Sequence, residues 1–510
     1  MQALWKANER GDIEAIERLL EQGVPVDAAD ARGRTALHSA SKRGFVEVVQ
    51  LLFAHGVNAD VKDKHGSTPL HLASKYGQAN TVRLLLARGA NVNAADKLGK
   101  TALHLATEER EYVDVVKALL EHDPDANAMD KDGYSPLHSA CYWGCLEIVH
   151  MLLAHGVDTN LVNKDGNVPL HLATCWGNVE VAKALLEYGI DMNVAMGAWK
   201  GRTALHLASY QGRVELVKAL VAKGADLEAV DELGKTPLQL ACQSRRLNVM
   251  KVLAASGANM NNLDKHGISS LHEACRHGRL EVVRKLLAYD ADATAVQKDG
   301  KTALHLASYN GHVGVTLSLL TRGVDANATD KGGKTALHWA SQRNHTRVVK
   351  TLLAHGVNVN AVHKGAWTAL HIASHKGHTR VVKLLLAHGA NVNIVDKAGK
   401  SALHFATLSG RTRVAKALLL RGAQQTPPAT TRSSQNLRTS DGCTSLKPSY
   451  PNLSCAAVPE NRPDTHLIAS KPQSFSVSCH SKPHSAVNRL DYRQFNSQAQ
   501  YLDNQVGNRR

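Results

Sequence analysis

The chain contains no run of apolar residues approaching the roughly 18 to 20 that a membrane helix needs. Its start, Met1-Gln2-Ala3-Leu4-Trp5-Lys6, has neither the basic opening nor the apolar stretch of a secretory signal. Both absences point to a soluble chain of the cytoplasm, with the nucleus as the other compartment, and no integral membrane segment. No Cys-x-x-Cys pair occurs among the eight cysteines, and no glycine-rich phosphate loop follows a strand. There is no Gly-x-Ser-x-Gly elbow and no pair of carboxylates set apart from the surrounding pattern. Enzymatic chemistry has nothing to stand on, so no catalytic residue, cofactor or metal is expected. Cys141 and Cys145, with Cys175 further on, and the pair His371 and His375 have spacings that suit a metal, but no complete ligand set accompanies either.

What is present is a phrase that keeps time. Thr35-Ala36-Leu37-His38 returns as Thr68-Pro69-Leu70-His71 and again at Thr101, Ser135, Val168, Thr203, Thr236, Ser269, Thr302, Thr335, Thr368 and Ser401. The steps are 33, 33, 34, 33 and 35, then six of 33, a constancy that only a repeating structural unit maintains. Such units bury their faces on one another, so length sets no domain count. The motif Thr or Ser suits a helix N-cap, and Pro at the next position fits the first turn. Gly44, Gly77, Gly144, Gly177 and Gly212 then end that helix. A second apolar stretch such as Val115-Val116-Lys117-Ala118-Leu119-Leu120 gives the second helix, and a turn-rich tail such as residues 90–100 leads to the next motif. Cys141, Cys242 and Cys275 occupy a position where neighbouring copies carry Ser or Thr, which reads as a small buried side chain.

The Thr-Pro-Leu-His phrase, the Val-Val second helix, the Leu-Leu-x-x-Gly-Ala-x-Val-Asn tail and the period together resemble ankyrin repeats. The resemblance covers twelve units over residues 30–423. It implies an all-α fold, an α-solenoid of stacked helix-turn-helix repeats with β-hairpin fingers, whose concave surface binds other proteins and whose repeats are not enzymes. It also implies that the eleven motif histidines, from His38 to His404, hydrogen-bond the helix start to adjacent backbone. Asn93, Asn360 and Asn393, in Val-Asn tails, are by the same resemblance candidates for asparaginyl hydroxylation. Residues 1–29 copy the two helices without the motif, with Trp5 in place of its His, as an N-terminal capping repeat would. Residues 424–510 are rich in Ser, Thr, Pro, Asn and Gln and read as a disordered tail. Within it, Pro448–Pro451 has the form of a PxxP ligand, Ser433, Ser434 and Ser440 lie near arginines as phosphorylation sites would, and residues 490–495 suit a short helix on a partner.

Individuality lies where copies depart from their average. In ankyrin-type arrays the concave face is formed by finger tips and by the residues four and five after the motif His. Those positions hold Tyr142, Trp143, Trp176 and Tyr210, with Tyr134 on a neighbouring finger. Exposed together, such aromatics are the stuff of interface hot spots. The alternative is that Trp143 and Trp176 stack on each other and only stabilise the junction between repeats. The 34-residue step adds a residue near Thr107–Glu111, and the 35-residue step lengthens the finger carrying Met196 and Trp199; insertions in solenoids map to loops, often on the binding face.

Charge also changes along the chain. Lys and Arg against Asp and Glu number 5 to 15 over residues 101–199 and 13 to 1 over 341–423. Nine residues after the motif His, Glu47, Glu147, Glu180, Glu215 and Glu281 give way to Arg347, Arg380 and Arg413, each followed three residues on by Lys350, Lys383 or Lys416. Arginine in a helix's first turn runs against the macrodipole, so these six residues form a cationic ladder that an acidic peptide or anionic lipid would suit. Nucleic acid is not expected, since no aromatic residues interleave the charges. The whole reads as a monomeric, non-enzymatic scaffold or adaptor with a protein partner on its concave face around repeats four to six. One alternative is an electrostatic module that binds acidic headgroups or nucleic acid through the ladder. Another is a substrate receptor of a ubiquitin ligase, although the tail has no recognisable ligase-recruiting box.

Overall fold

In the computed structural model, residues 2–197 and 200–424 are described. They form 26 helices that alternate as first and second helices of successive repeats. Repeat two shows why. Thr68 is extended (φ −89°, ψ 167°) and its hydroxyl accepts the His71 N–H, while Pro69 fills the first turn of the helix Pro69–Lys75. Gly77 then turns the chain at φ +75°, and the second helix, Ala79–Ala87, buries Val82, Leu85 and Leu86 at helical spacing. Helices this short do not persist alone in water. They hold because first helices pack on first helices and second on second down the array, each fully buried leucine contributing about 1.5–3 kcal/mol. A motif-free pair, Gln2–Arg10 and Ile13–Glu21, packs ahead of repeat one.

The motif histidine ties each helix start to the following finger. Nδ1 of His71 accepts the Thr68 backbone N–H at 3.1 Å, so the ring proton sits on Nε2, which donates to the Lys100 carbonyl at 2.9 Å. The same pair of bonds recurs at His104, His206 and His305. In repeat seven Gln239 reproduces it, with Oε1 accepting the Thr236 N–H and Nε2 donating to the Asn262 carbonyl. The cysteine reading also holds: Cys141, Cys242 and Cys275 are buried.

The fingers are hairpins by path but carry no strand ladder among the described residues; only isolated bridges occur, such as Met196 with Arg202. What shapes them is a carboxylate. Asp63 Oδ1 accepts the N–H groups of His65 and Ser67 at 2.8 and 2.9 Å, an Asx turn closed at Gly66 (φ +80°). Adjacent fingers are pinned together, Lys64 N–H to the Arg32 carbonyl at 2.9 Å and Lys97 N–H to the His65 carbonyl at 2.9 Å. Asn93, Asn360 and Asn393 have a structural task as well, since each Oδ1 accepts a backbone N–H about one repeat on, from Asp125, Asn391 and Gln424.

Both spacing errors have a visible cause. In repeat three the first helix stops at Ala106 and the extra residue is taken up in the turn before Val113–Leu120. In the long finger the Met196 N–H reaches the Arg202 carbonyl, a span of six residues where Asp63 to Ser67 spans four. Trp199 lies outside the described residues, as do the tail positions 433–451 and 490–495 singled out from sequence.

Candidate functional site

Repeats four to six present their first helices side by side: Pro136–Trp143, Pro169–Trp176 and Ala204–Gln211. Tyr142 lies between the two tryptophans, 4.6 Å from the Trp176 ring and 5.0 Å, edge-on, from Trp143. The tryptophans are therefore bridged by a tyrosine. Trp143 is 39% exposed; Tyr142, Trp176 and Tyr210 are half-buried. The backbone beneath them is fixed from both sides. Arg110 of repeat three donates to the Trp143 carbonyl at 2.9 Å, Asn178 of repeat five donates to the carbonyls of Cys141 and Tyr142, and Gln211 donates to the Cys175 carbonyl. A group held this way offers a surface that loses little side-chain freedom when covered.

Tyr134 stands on the finger of repeat four. Its ring meets His138 at 5.8 Å and its carbonyl accepts the His104 Nε2–H at 3.0 Å. Tyr210 lies beneath the Arg202 guanidinium at 5.6 Å, and Arg202 is buried in an ion pair with Asp231 at 3.4 Å. One expectation is corrected. Met196, expected on the surface of the long finger, is fully buried and packs with Cys175 and Leu207 under Trp176. The polar turn-former of other fingers is replaced there by an apolar side chain, and the hydrophobic effect draws it inward.

Burial governs the ionisable groups nearby. It pushes the His138 and His171 imidazoles down to about 4, against the raising effect of their carbonyl partners, Asn167 and Val194. It pushes the thiols up, Cys175 to about 12 and Cys145 to about 11. These histidines are neutral hydrogen-bonding struts and these cysteines are inert. His371 accepts the Thr368 N–H, while His375 meets Ser409 at 3.1 Å, so the pair is divided between two structural tasks. No group of three or more His, Cys, Asp or Glu side chains converges among the described residues.

A second aromatic group escaped the sequence reading. Tyr309 and Trp339 meet edge-to-face at 5.3 Å, with Lys334 4.2 Å and Lys301 4.9 Å over Trp339 and Arg343 4.4 Å over Tyr309. Beyond them Trp367 packs on Phe405 at 4.4 Å and donates to Asp396. Two signals in the sequence marked it: Tyr309 shares the register of Tyr142, and Trp339 and Phe405 replace the small or aliphatic residue after the motif His.

The six ladder residues lie exposed on the second helices Thr346–Ala354, Thr379–Ala387 and Thr412–Leu419, away from the aromatic groups.

A solenoid of paired helices, with histidine-locked fingers and aromatic side chains gathered on one row of helix ends, defines a repeat protein built to present surface. The chain belongs to the ankyrin repeat family: the family model for ankyrin repeats matches in six overlapping stretches, at residues 3–96, 88–163, 147–231, 205–297, 271–363 and 355–428. Ankyrin repeats are in general protein–protein interaction modules and not enzymes. No curated protein matches the chain. No described helix is long and apolar enough to cross a membrane.

Proposed function

We propose that this chain is a non-enzymatic scaffold that docks a protein partner across the first-helix ends of repeats four to six, with Tyr134, Tyr142, Trp143, Trp176 and Tyr210 as the contact surface. The observation that carries this reading is Trp143, a large aromatic 39% exposed on a backbone tied from both flanking repeats. Exposed aromatics on rigid supports are the usual anchors of protein interfaces, and truncating one costs about 2 kcal/mol or more of binding, roughly thirtyfold or more in Kd.

Affinity purification with mass spectrometry on the wild type and Trp143→Ala is the test. The variant is expected to lose at least one protein that the wild type retains, with its melting temperature within a few degrees of wild type. Identical captured sets at equal abundance would refute the docking surface.

A further inference from the structure

The six exposed cations of repeats ten to twelve stand on a face that the aromatic surface does not use, and their setting differs from that of their counterparts. In three earlier second helices the basic residue is neutralised within its own helix: Lys183 pairs with Glu180 at 2.9 Å, Lys218 with Glu215 at 2.9 Å and Arg284 with Glu281 at 3.1 Å. From repeat ten the acidic partner becomes arginine. Among the described residues none of Arg347, Lys350, Arg380, Lys383, Arg413 and Lys416 pairs with a carboxylate, and Asp396 is the one acidic residue between 341 and 423.

Positions three apart share a helix face and packed helices sit about 8–10 Å apart, so the cations make three parallel rungs. Seven residues after each ladder arginine come Ala354, Ala387 and Leu420, which continue the same stripe. Leu420 is 78% exposed and the adjacent Leu419 43%. The face thus joins uncompensated positive charge to a solvent-facing leucine pair at its end.

We infer that this face is a peripheral docking site for an anionic lipid bilayer, with the rungs on the headgroups and Leu420 and Leu419 reaching the acyl boundary. The choice of occupant follows from shape and composition. An acidic peptide can be held by an Arg cluster, but three rows of single arginines on the exposed sides of separate helices give it no groove or strand edge to fix a register. Nucleic acid recognition calls for aromatic interleaving or an element projecting into a groove, and the stripe holds Arg, Lys, Ala and Leu. A fluid bilayer needs no concavity, because its charged lipids move to meet the cations, and its acyl boundary also takes up exposed leucines beside them. The rung spacing is close to the Debye length of about 10 Å at 0.1 M salt, so the rows act together only at modest ionic strength.

The test is co-sedimentation of the full chain with phosphatidylcholine vesicles, with and without a minor fraction of phosphatidylserine. The informative variant carries Arg347→Glu, Arg380→Glu and Arg413→Glu, because it restores the Glu-to-Lys arrangement that Glu180 and Lys183 already show to be compatible with the fold. The wild type is expected to bind phosphatidylserine vesicles at least about tenfold better than neutral ones. That preference disappears in the triple variant, weakens in Leu420→Ser, and is lost towards 1 M salt, where the Debye length is about 3 Å. Inorganic phosphate at the concentration of lipid phosphate is expected not to compete; competition would mean a simple anion site and overturn the bilayer. Equal binding to neutral and anionic vesicles, an unaffected triple variant, or preference for duplex DNA or polyglutamate over vesicles at matched charge would each overturn it. Circular dichroism of both variants confirms that they are folded.

Discussion

Lowering the pH from 7 to 5 should loosen this array, and the size of the effect follows from the motif histidines. Each Nδ1 accepts a backbone N–H, as His138 does from Ser135 at 3.2 Å and His171 from Val168 at 3.2 Å, so a second proton has no place in the folded state. Burial holds both rings at about 4, against about 6.5 in the unfolded chain. Because the folded value is the lower one, the unfolded state takes up protons first. Stability is therefore complete above about pH 6.5, falls as the pH drops below it, and levels off near 4. Linkage gives a loss of about 2 kcal/mol per ring at pH 5, or about 4 kcal/mol for the two together.

The chain supplies its own control in Gln239, which makes both bonds of the motif His without a titrating group. In the variant His138→Gln with His171→Gln, repeats four and five should keep their fold and lose this part of the pH dependence. Hydrogen exchange of the second-helix amides, Leu146–Ala154 and Val179–Glu187, measured at pH 7 and 5 and corrected for intrinsic rates, reads it locally. The expected result is an opening free energy that drops about 4 kcal/mol more in the wild type than in the variant. Equal drops in the two proteins would refute the tautomer assignment and the burial argument together.

Other measurements probe separate links. Trp176→Ala should cost about 2–3 kcal/mol in urea unfolding, since a half-buried ring over Cys175, Met196 and Leu207 is removed; a loss below about 1 kcal/mol would mean the ring does not support the junction. Asp231→Ala removes the carboxylate from the buried Arg202 and from the N–H groups of Leu233 and Lys235. It should cost about 3–5 kcal/mol, and a surface-like value under about 1 kcal/mol would contradict the burial of the pair. Of eight cysteines, five are buried free thiols, so no more than 8 − 5 = 3 should react with a thiol reagent in the native state and all eight in denaturant. Rapid native labelling of Cys141 or Cys242 would overturn their placement.

The frame was legible because it is written twelve times. A motif of Thr, Leu and His at a constant step identifies the helix start and the stacked core without any knowledge of contacts, whereas the histidine strut was legible only through the family resemblance; that Gln239 makes the same two bonds emerged from the structure. Burial at single positions was not legible in that way. Trp143 and Trp176 share one register, five residues after the motif His, yet one is 39% exposed and the other half-buried. Register fixes where a side chain starts, and the neighbour one repeat on decides what covers it. Trp176 meets Met196, drawn beneath it from a finger two residues longer than its peers, whereas the finger after repeat four carries Asn163, whose Oδ1 is occupied with the N–H groups of Asp165 and Asn167. Met196, which sequence reasoning assigned to the binding surface, instead packs with Cys175 and Leu207 against Trp176 from below. Replacing the carboxylate of a turn by a thioether removes the turn's own hydrogen bonds and adds apolar area that must be buried.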